Sequence, residues 1–126
     1  MVGVDFLKQK GVDHVALVGH SFGGAVVIMA GVFSPQVKAV VGLSSQTFGA
    51  HRVSELSPRP LLLIHGERDQ NLPARCSRDI YKWANESKEL VIYPGCGHFL
   101  RECHQELQDR PKEWLIDKLG TKDSKP

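Results

Sequence analysis

Residues 14–24, with the sequence HVALVGHSFGG, decide the fold of this chain. Their first half, HVALV, is a short apolar run of the kind that forms a strand covered on both faces. The run that follows, FGGAVVIMAGVF at 22–33, is too long for a typical strand, and its small residues suit a helix packed closely against a sheet. Ser21 therefore stands at a tight turn between a strand and a helix.

The rest of the chain repeats this alternation of apolar runs and helix-like stretches, which predicts repeated β-α units and a mostly parallel sheet. A loop at 46–60 has room for one turn of helix but not for a lid domain. In the next helix we expect Ile80 and Trp83 on the inner side, and in the last helix Pro111 must cause a kink or begin a second segment. The predicted strands are 14–18, 37–43, 61–65 and 90–93, and the predicted helices are 22–33, 73–84, about 102–119 and the end of one at 4–10, stopped by Gly11.

The composition is that of one ordinary globular domain. Of the 126 residues, 41% are hydrophobic and 24% are charged, and the formal net charge is +2. So small a charge, spread over scattered residues, argues against a nucleic-acid or membrane partner, and no apolar run reaches the roughly 18 residues that cross a bilayer. The first residues lack the charge-then-apolar order of a signal peptide. We therefore expect a cytoplasmic protein with one domain at 1–120 and a disordered tail at 121–126.

The cysteines Cys76, Cys96 and Cys103 are odd in number and irregularly spaced, so we expect no disulfide framework and a reducing compartment. Cys96, His98, Cys103 and His104 invite a zinc interpretation, but the spacing C-x-H-x₄-C-H is not a usual zinc pattern. Neither a metal nor an organic cofactor is implied.

Ser21 lies within Gly19-His20-Ser21-Phe22-Gly23, a G-x-S-x-G sequence in the strand-to-helix setting of a nucleophile elbow. A serine there needs small neighbours two residues away on each side, because the strand and the helix nearly touch, and Gly19 and Gly23 meet that need. The N-terminus of the following helix also favours developing negative charge. On its own, the motif favours a nucleophile but also allows a flexible glycine-rich turn with a bystander serine.

A serine hydroxyl is a poor nucleophile without a base, and the base needs an acid that fixes its tautomer. His98 follows the fourth predicted strand in a glycine-flanked loop, and Asp69 follows the third, with Glu67 as a competing acid. Taken singly, they fit a surface-loop histidine and a turn or helix-capping aspartate. Together with Ser21, all of them follow the carboxyl ends of parallel strands, where open α/β sheets place their sites.

Three motifs resemble the nucleophile, acid and histidine motifs of the α/β-hydrolase family: GHSFGG at 19–24, HGERDQNLP at 65–73 and GCGHF at 95–99. They occur in the family's order, and the likeness extends over 4–119. The chain is most similar to the dienelactone-hydrolase-like and serine-aminopeptidase-like members, although dienelactone hydrolases proper have a cysteine nucleophile. The family's HGxxD pattern implies that Asp69, rather than Glu67, is the acid.

The resemblance implies a serine hydrolase with a Ser21–Asp69–His98 triad that cleaves carboxylic esters or related acyl compounds through an acyl-enzyme. The backbone N–H of Phe22 would bind part of the oxyanion. The family's second oxyanion donor comes from a loop in an N-terminal part that no stretch of this chain matches, so we expect a partial α/β-hydrolase fold with about four parallel strands. The alternative is a weakly active or inactive truncated fragment that needs the missing part or a partner chain.

Two further expectations concern partners. The substrate is a small-molecule ester or acyl compound, and Phe48 or His51 either lines its pocket or is a surface residue. The strand at 14–18 is expected to pair with the strand at 37–43 and to have nothing on its other side. Because HVALV carries no charge or proline to block such an edge, we expect poor solubility or self-association through it.

Overall fold

A computed structural model describes residues 4–8 and 15–119, which form a five-stranded sheet with helices on both faces. The strands lie across the sheet in chain order, and all neighbours are parallel except the first pair, which is antiparallel. The strands are β1 Val4–Lys8, β2 Val15–His20, β3 Val37–Leu43, β4 Leu61–Gly66 and β5 Lys88–Tyr93. The helices are α1 Phe22–Phe33, α2 Arg75–Trp83 and α3 His104–Leu119, with 3₁₀ turns at Val53–Leu56 and Arg101–Cys103.

The four parallel strands confirm the predicted α/β class, and β4 shows why its sequence is apolar throughout. Leu61 and Leu63 pack in the cluster that includes α1 and α2, whereas Leu62 and Ile64 pack in the cluster that includes α3. All four side chains are buried, because successive residues of a strand point to opposite faces and helices cover both. Helices therefore shield both faces of β4 from solvent.

The interpretation of 4–10 as the end of a helix is wrong at Val4–Lys8, which forms β1. This strand pairs with β2, from Val4 opposite Gly19 to Lys8 opposite Val15. A segment of a few residues has little helical stability of its own, so pairing with the open edge of an apolar strand outweighs its helical preference. Gly11, the expected stop, lies outside the described residues.

The same pairing corrects the expectation of an unpaired edge at 14–18. β2 has β1 on one side and β3 on the other, so its N–H and C=O groups face partner strands in both directions. Self-association stays a prediction, but the open edge that motivated it is not present. His14 and the tail at 121–126 lie outside the described residues.

Two side-chain expectations also change. Ile80 is buried as predicted, but Trp83 is 37% exposed. It is the last residue of α2, and its ring stacks on that of the exposed His51. Cys96 and Cys103 form a disulfide, where the irregular spacing predicted no disulfide framework. The 3₁₀ turn at Arg101–Cys103 folds the chain back and brings their Cα atoms to 6.1 Å, a proximity that spacing alone does not indicate.

The other helical expectations concern the loop and the last helix. The 3₁₀ turn at Val53–Leu56 is the single helical turn expected in the 46–60 loop. α3 continues through Pro111, so the proline does not begin a second helix. Within residues 15–119, none of the helices combines the length and the apolar character that crossing a bilayer requires.

Candidate active site

The residues predicted to form a triad meet at one edge of the sheet. Ser21 follows β2, Asp69 follows β4 and His98 follows β5, and the carboxyl ends of these parallel strands share an edge. Nδ1 of His98 lies 2.7 Å from Oδ2 of Asp69, and Nε2 of His98 lies 3.0 Å from Oγ of Ser21. The three side chains therefore form one continuous hydrogen-bond chain.

Ser21 occupies a backbone conformation that L-residues rarely adopt, with φ 62° and ψ −120°. Two hydrogen bonds hold it there: its N–H donates to the carbonyl of Leu43 at 2.7 Å, and its own carbonyl accepts from the N–H of Gly24 at 2.9 Å. A Cβ added to Gly19 would lie 2.1 Å from the carbonyl oxygen of Gly23. Strand and helix touch at this turn, as the spacing of the glycines predicted.

The residues that flank Ser21 also lie at this edge. α1 begins at Phe22, so the backbone N–H of Phe22 belongs to the first turn, whose N–H groups have no partner within the helix. The ring of His20 stacks with that of Phe99 at a centroid distance of 5.6 Å, and its Nε2 lies 2.9 Å from the carbonyl oxygen of His98. His20 thus contacts the loop that carries His98.

The Asp69 carboxylate accepts four N–H donors. Oδ1 accepts from the backbone N–H groups of Asn71 and Leu72 at 2.8 and 2.7 Å, and Oδ2 accepts from Nδ1 of His98 at 2.7 Å and Nε2 of His65 at 3.1 Å. Burial raises the pKa of this carboxyl, but the hydrogen bonds from Leu72, His98 and Asn71 outweigh burial and hold the pKa below its ordinary value. Asp69 is therefore ionised, with a fixed orientation.

The partners of His98 determine its tautomer. Because an ionised carboxylate only accepts, Nδ1 of His98 carries the hydrogen, and Nε2 presents a lone pair to the hydroxyl of Ser21. The backbone is held as well, since the carbonyl oxygen of His98 accepts the Ser44 hydroxyl at 2.8 Å. With both ring and backbone fixed, His98 is arranged to take a proton from Ser21.

Glu67, the competing acid, lies away from this chain of hydrogen bonds. Its carboxylate pairs with the guanidinium of Arg78 at 2.9 Å, and both side chains are 48% exposed. The structure thus brings Asp69, and not Glu67, to His98.

Sequence reasoning missed three buried polar residues that support this site: Ser44, His65 and Ser77. Ser44 donates to the carbonyl of His98, His65 contacts Asp69, and Ser77 contacts His65. The sequence did contain a signal for His65, because it is a polar residue in the otherwise apolar strand LLLIHG. By the alternation of side chains along a strand, it faces the same side as Leu61 and Leu63. Nothing comparable marks Ser44 or Ser77.

The zinc interpretation does not fit the structure. The disulfide between Cys96 and Cys103 leaves neither thiolate free to bind a metal. In the part of the chain that the structure describes, no three His, Cys, Asp or Glu side chains are grouped as metal ligands. Phe48 and His51, named as pocket or surface residues, are both exposed.

Known proteins share this fold. Residues 1–113 match the profile of the family described as phospholipase/carboxylesterase. The esterase domain of a Rhodothermus marinus protein superposes with a TM-score of 0.74 at 20% identity, over 81% of this chain and 59% of that one. A dienelactone hydrolase from Anabaena variabilis superposes with a TM-score of 0.70 at 27% identity, over 79% of this chain and 47% of the other.

Curated proteins also match by sequence over part of the chain. An uncharacterised protein of Pseudomonas aeruginosa is 50% identical over 68 residues, which are 54% of this chain and 16% of that protein. The uncharacterised protein YfhR of Escherichia coli K12 is 40% identical over 50 residues, which are 40% of this chain and 18% of that protein. The matched regions cover less than two thirds of each of these relatives and of the two solved structures.

Proposed function

The chain belongs to the phospholipase/carboxylesterase family, with the fold of the α/β-hydrolases, and from this premise we propose that it is a serine hydrolase acting on carboxylic esters or related acyl compounds. The observation that carries the proposal is the hydrogen-bond chain from Ser21 through His98 to Asp69. Esters suit it better than amides, because an alcohol is expelled more easily than an amine.

In the acylation step, Oγ of Ser21 attacks the carbonyl carbon of the ester while its proton moves to Nε2 of His98. The electron pair of the C=O bond moves onto the carbonyl oxygen, and the negative charge of Asp69 stabilises the imidazolium. His98 then gives the proton to the departing alkoxide oxygen. The products are an alcohol and an acyl-enzyme on Ser21.

In the second step, a water molecule replaces the alcohol. Nε2 of His98 takes a proton from this water as its oxygen attacks the acyl carbon, and the proton then returns to Oγ of Ser21 as the carboxylic acid leaves. A proton therefore moves from Ser21 to His98 in the first step and from His98 to Ser21 in the second.

The developing oxyanion requires donors that are already in place. The backbone N–H of Phe22, at the first turn of α1, supplies one of them. The family resemblance assigns a second donor to a part of the fold that precedes the nucleophile strand.

Activity-based labelling and ester hydrolysis together test the proposal. We expect a fluorophosphonate probe to modify Ser21 in the 126-residue chain and p-nitrophenyl esters of graded acyl length to be cleaved, and Ser21→Ala to abolish both. Ser54→Ala is the matched control, because Ser54 lies in the 3₁₀ turn and not at the site. Labelling at another serine, or hydrolysis that survives Ser21→Ala, contradicts the proposal.

A further inference from the structure

We propose that His65 and Ser77 position the catalytic acid, so that the triad is the inner part of a hydrogen-bond chain that runs Ser77–His65–Asp69–His98–Ser21. This inference rests on the proposed function, because it concerns how Asp69 is held for that reaction. Neither His65 nor Ser77 touches the reacting atoms; both act through Asp69.

His65 lies at the carboxyl end of β4, and its ring is fully buried. Nδ1 lies 2.6 Å from Oγ of Ser77 on α2. Nε2 lies 2.9 Å from the carbonyl oxygen of Leu72 and 3.1 Å from Oδ2 of Asp69. Both ring nitrogens are thus engaged by protein atoms, in a place where no solvent replaces a lost partner.

These partners fix where the hydrogen of His65 resides. The Leu72 carbonyl and the Asp69 carboxylate only accept, so Nε2 carries the hydrogen and shares it between them. Burial lowers the pKa of His65 more than the Leu72 carbonyl and the Asp69 charge raise it, and nearby His98 lowers it further. The ring is therefore neutral, and its Nδ1 lone pair accepts the hydroxyl of Ser77.

One oxygen of Asp69 then serves two imidazoles. Oδ2 accepts the shorter bond from His98, at 2.7 Å, and the longer one from His65, at 3.1 Å. The two backbone donors on Oδ1 fix one side of the carboxylate, and His65 fixes the other. Without the His65 donor, that side of the carboxylate is no longer held, and Oδ2 is free to turn away from Nδ1 of His98.

Ser77 holds the ring of His65 from the side opposite Asp69, because its hydroxyl donates to the Nδ1 lone pair at 2.6 Å. In its absence, Nδ1 has no partner and the ring is held less firmly, which weakens the bond from Nε2 to Oδ2 of Asp69. Ser77→Ala deletes one oxygen atom and so acts on Asp69 without a large change in packing.

Nuclear magnetic resonance of the 126-residue chain tests this arrangement without turnover. Long-range ¹H–¹⁵N spectra are expected to show His65 as the neutral Nε2–H tautomer at neutral pH, and Ser77→Ala is expected to keep this tautomer but to shift the Nδ1 resonance, because Nδ1 loses its hydrogen bond. A wild-type His65 that is charged, or protonated on Nδ1, overturns the inference. Because no substrate is needed, this result stands even if the chain hydrolyses no ester, and the two failures are distinguishable.

Kinetics test the role of the donor. His65→Leu is expected to lower kcat about 10- to 100-fold with KM unchanged, since a hydrogen bond to a charged group is lost. His65→Gln, whose amide N–H₂ reaches toward Asp69, should recover most of the loss, and His104→Leu, which removes an exposed imidazole, should change nothing.

A folded His65→Leu protein with wild-type kcat overturns the inference. So does a loss of kcat that His65→Gln does not reduce, because packing rather than a donor would then be responsible. Where His65→Leu does not fold, Ser77→Ala decides: we expect a several-fold lower kcat with KM unchanged, and a wild-type kcat overturns the inference.

Discussion

Replacing Asp69 by asparagine exchanges one carboxylate oxygen for an NH₂ group, and the hydrogen bonds around Asp69 determine where that group points. Oδ1 accepts from the backbone N–H groups of Asn71 and Leu72 at 2.8 and 2.7 Å, so only the amide oxygen fits at that position. The NH₂ group must then take the place of Oδ2, which lies 2.7 Å from Nδ1 of His98.

Two donors do not face each other at this distance, so His98 must move its hydrogen from Nδ1 to Nε2. Nε2 is the atom 3.0 Å from Oγ of Ser21, and it would lose the lone pair that accepts the serine proton. In a Ser–His–Asp hydrolase, this wrong tautomer lowers kcat about 10⁴-fold. That factor corresponds to about 5 kcal/mol of activation free energy.

The assay is the hydrolysis of p-nitrophenyl acetate by wild-type protein, Asp69→Asn and the control Glu67→Gln, each verified as folded by circular dichroism. Glu67→Gln is expected to keep wild-type kcat, because it removes only a half-exposed ion pair with Arg78, worth about 0–1 kcal/mol of stability. An Asp69→Asn protein that retains about a tenth or more of wild-type kcat would refute the tautomer argument. A large loss in Glu67→Gln would refute the choice of acid.

Two other predictions concern Cys96 and the effect of pH on stability. Cys96→Ser is expected to leave most of the esterase activity, because Ser21 is the proposed nucleophile and Cys96 is bonded to Cys103. Loss of hydrolysis in this variant, with activity retained in Ser21→Ala, would make Cys96 the nucleophile instead. The free energy of unfolding is expected to fall as the pH drops below about 6.5, because burial lowers the pKa of His65 in the folded chain. Below that pH the imidazole binds a proton in the unfolded chain but not in the folded one. Measured by chemical denaturation between pH 7 and 5, the free energy of unfolding should depend less steeply on pH in His65→Gln than in the wild-type protein. An equal pH dependence in the two proteins would contradict a neutral buried His65.

Elements with local signals at both ends were predictable from the sequence. α1 has its predicted bounds, because the Ser21 turn marks its start and Ser34 followed by Pro35 marks its end. β3 also has its predicted bounds, because its apolar run is set off by polar residues on both sides. The convergence of Ser21, Asp69 and His98 followed from one further fact, that the strands are parallel.

The features that escaped prediction depend on partners distant in the sequence. β1 exists through its pairing with β2, and the exposure of Trp83 depends on where α2 ends. The contact of His65 with Asp69 was open to prediction in part, since a polar residue in a buried strand requires a partner. Ser77 was not, because its importance depends on the distance between α2 and β4, which no residue pattern specifies.

The order of the strands across the sheet bears on how the protein is made. Because β1 to β5 lie in chain order, each strand after β1 pairs with a strand that has already left the ribosome. Every new strand therefore extends the free edge of the sheet formed so far. The turn at Ser21 is complete once Leu43 has emerged and its carbonyl accepts the N–H of Ser21. His98, however, lies 77 positions after Ser21 in the chain. Until β5 has formed, Ser21 does not have His98 beside it, so the proposed triad is complete only when β5 has joined the sheet.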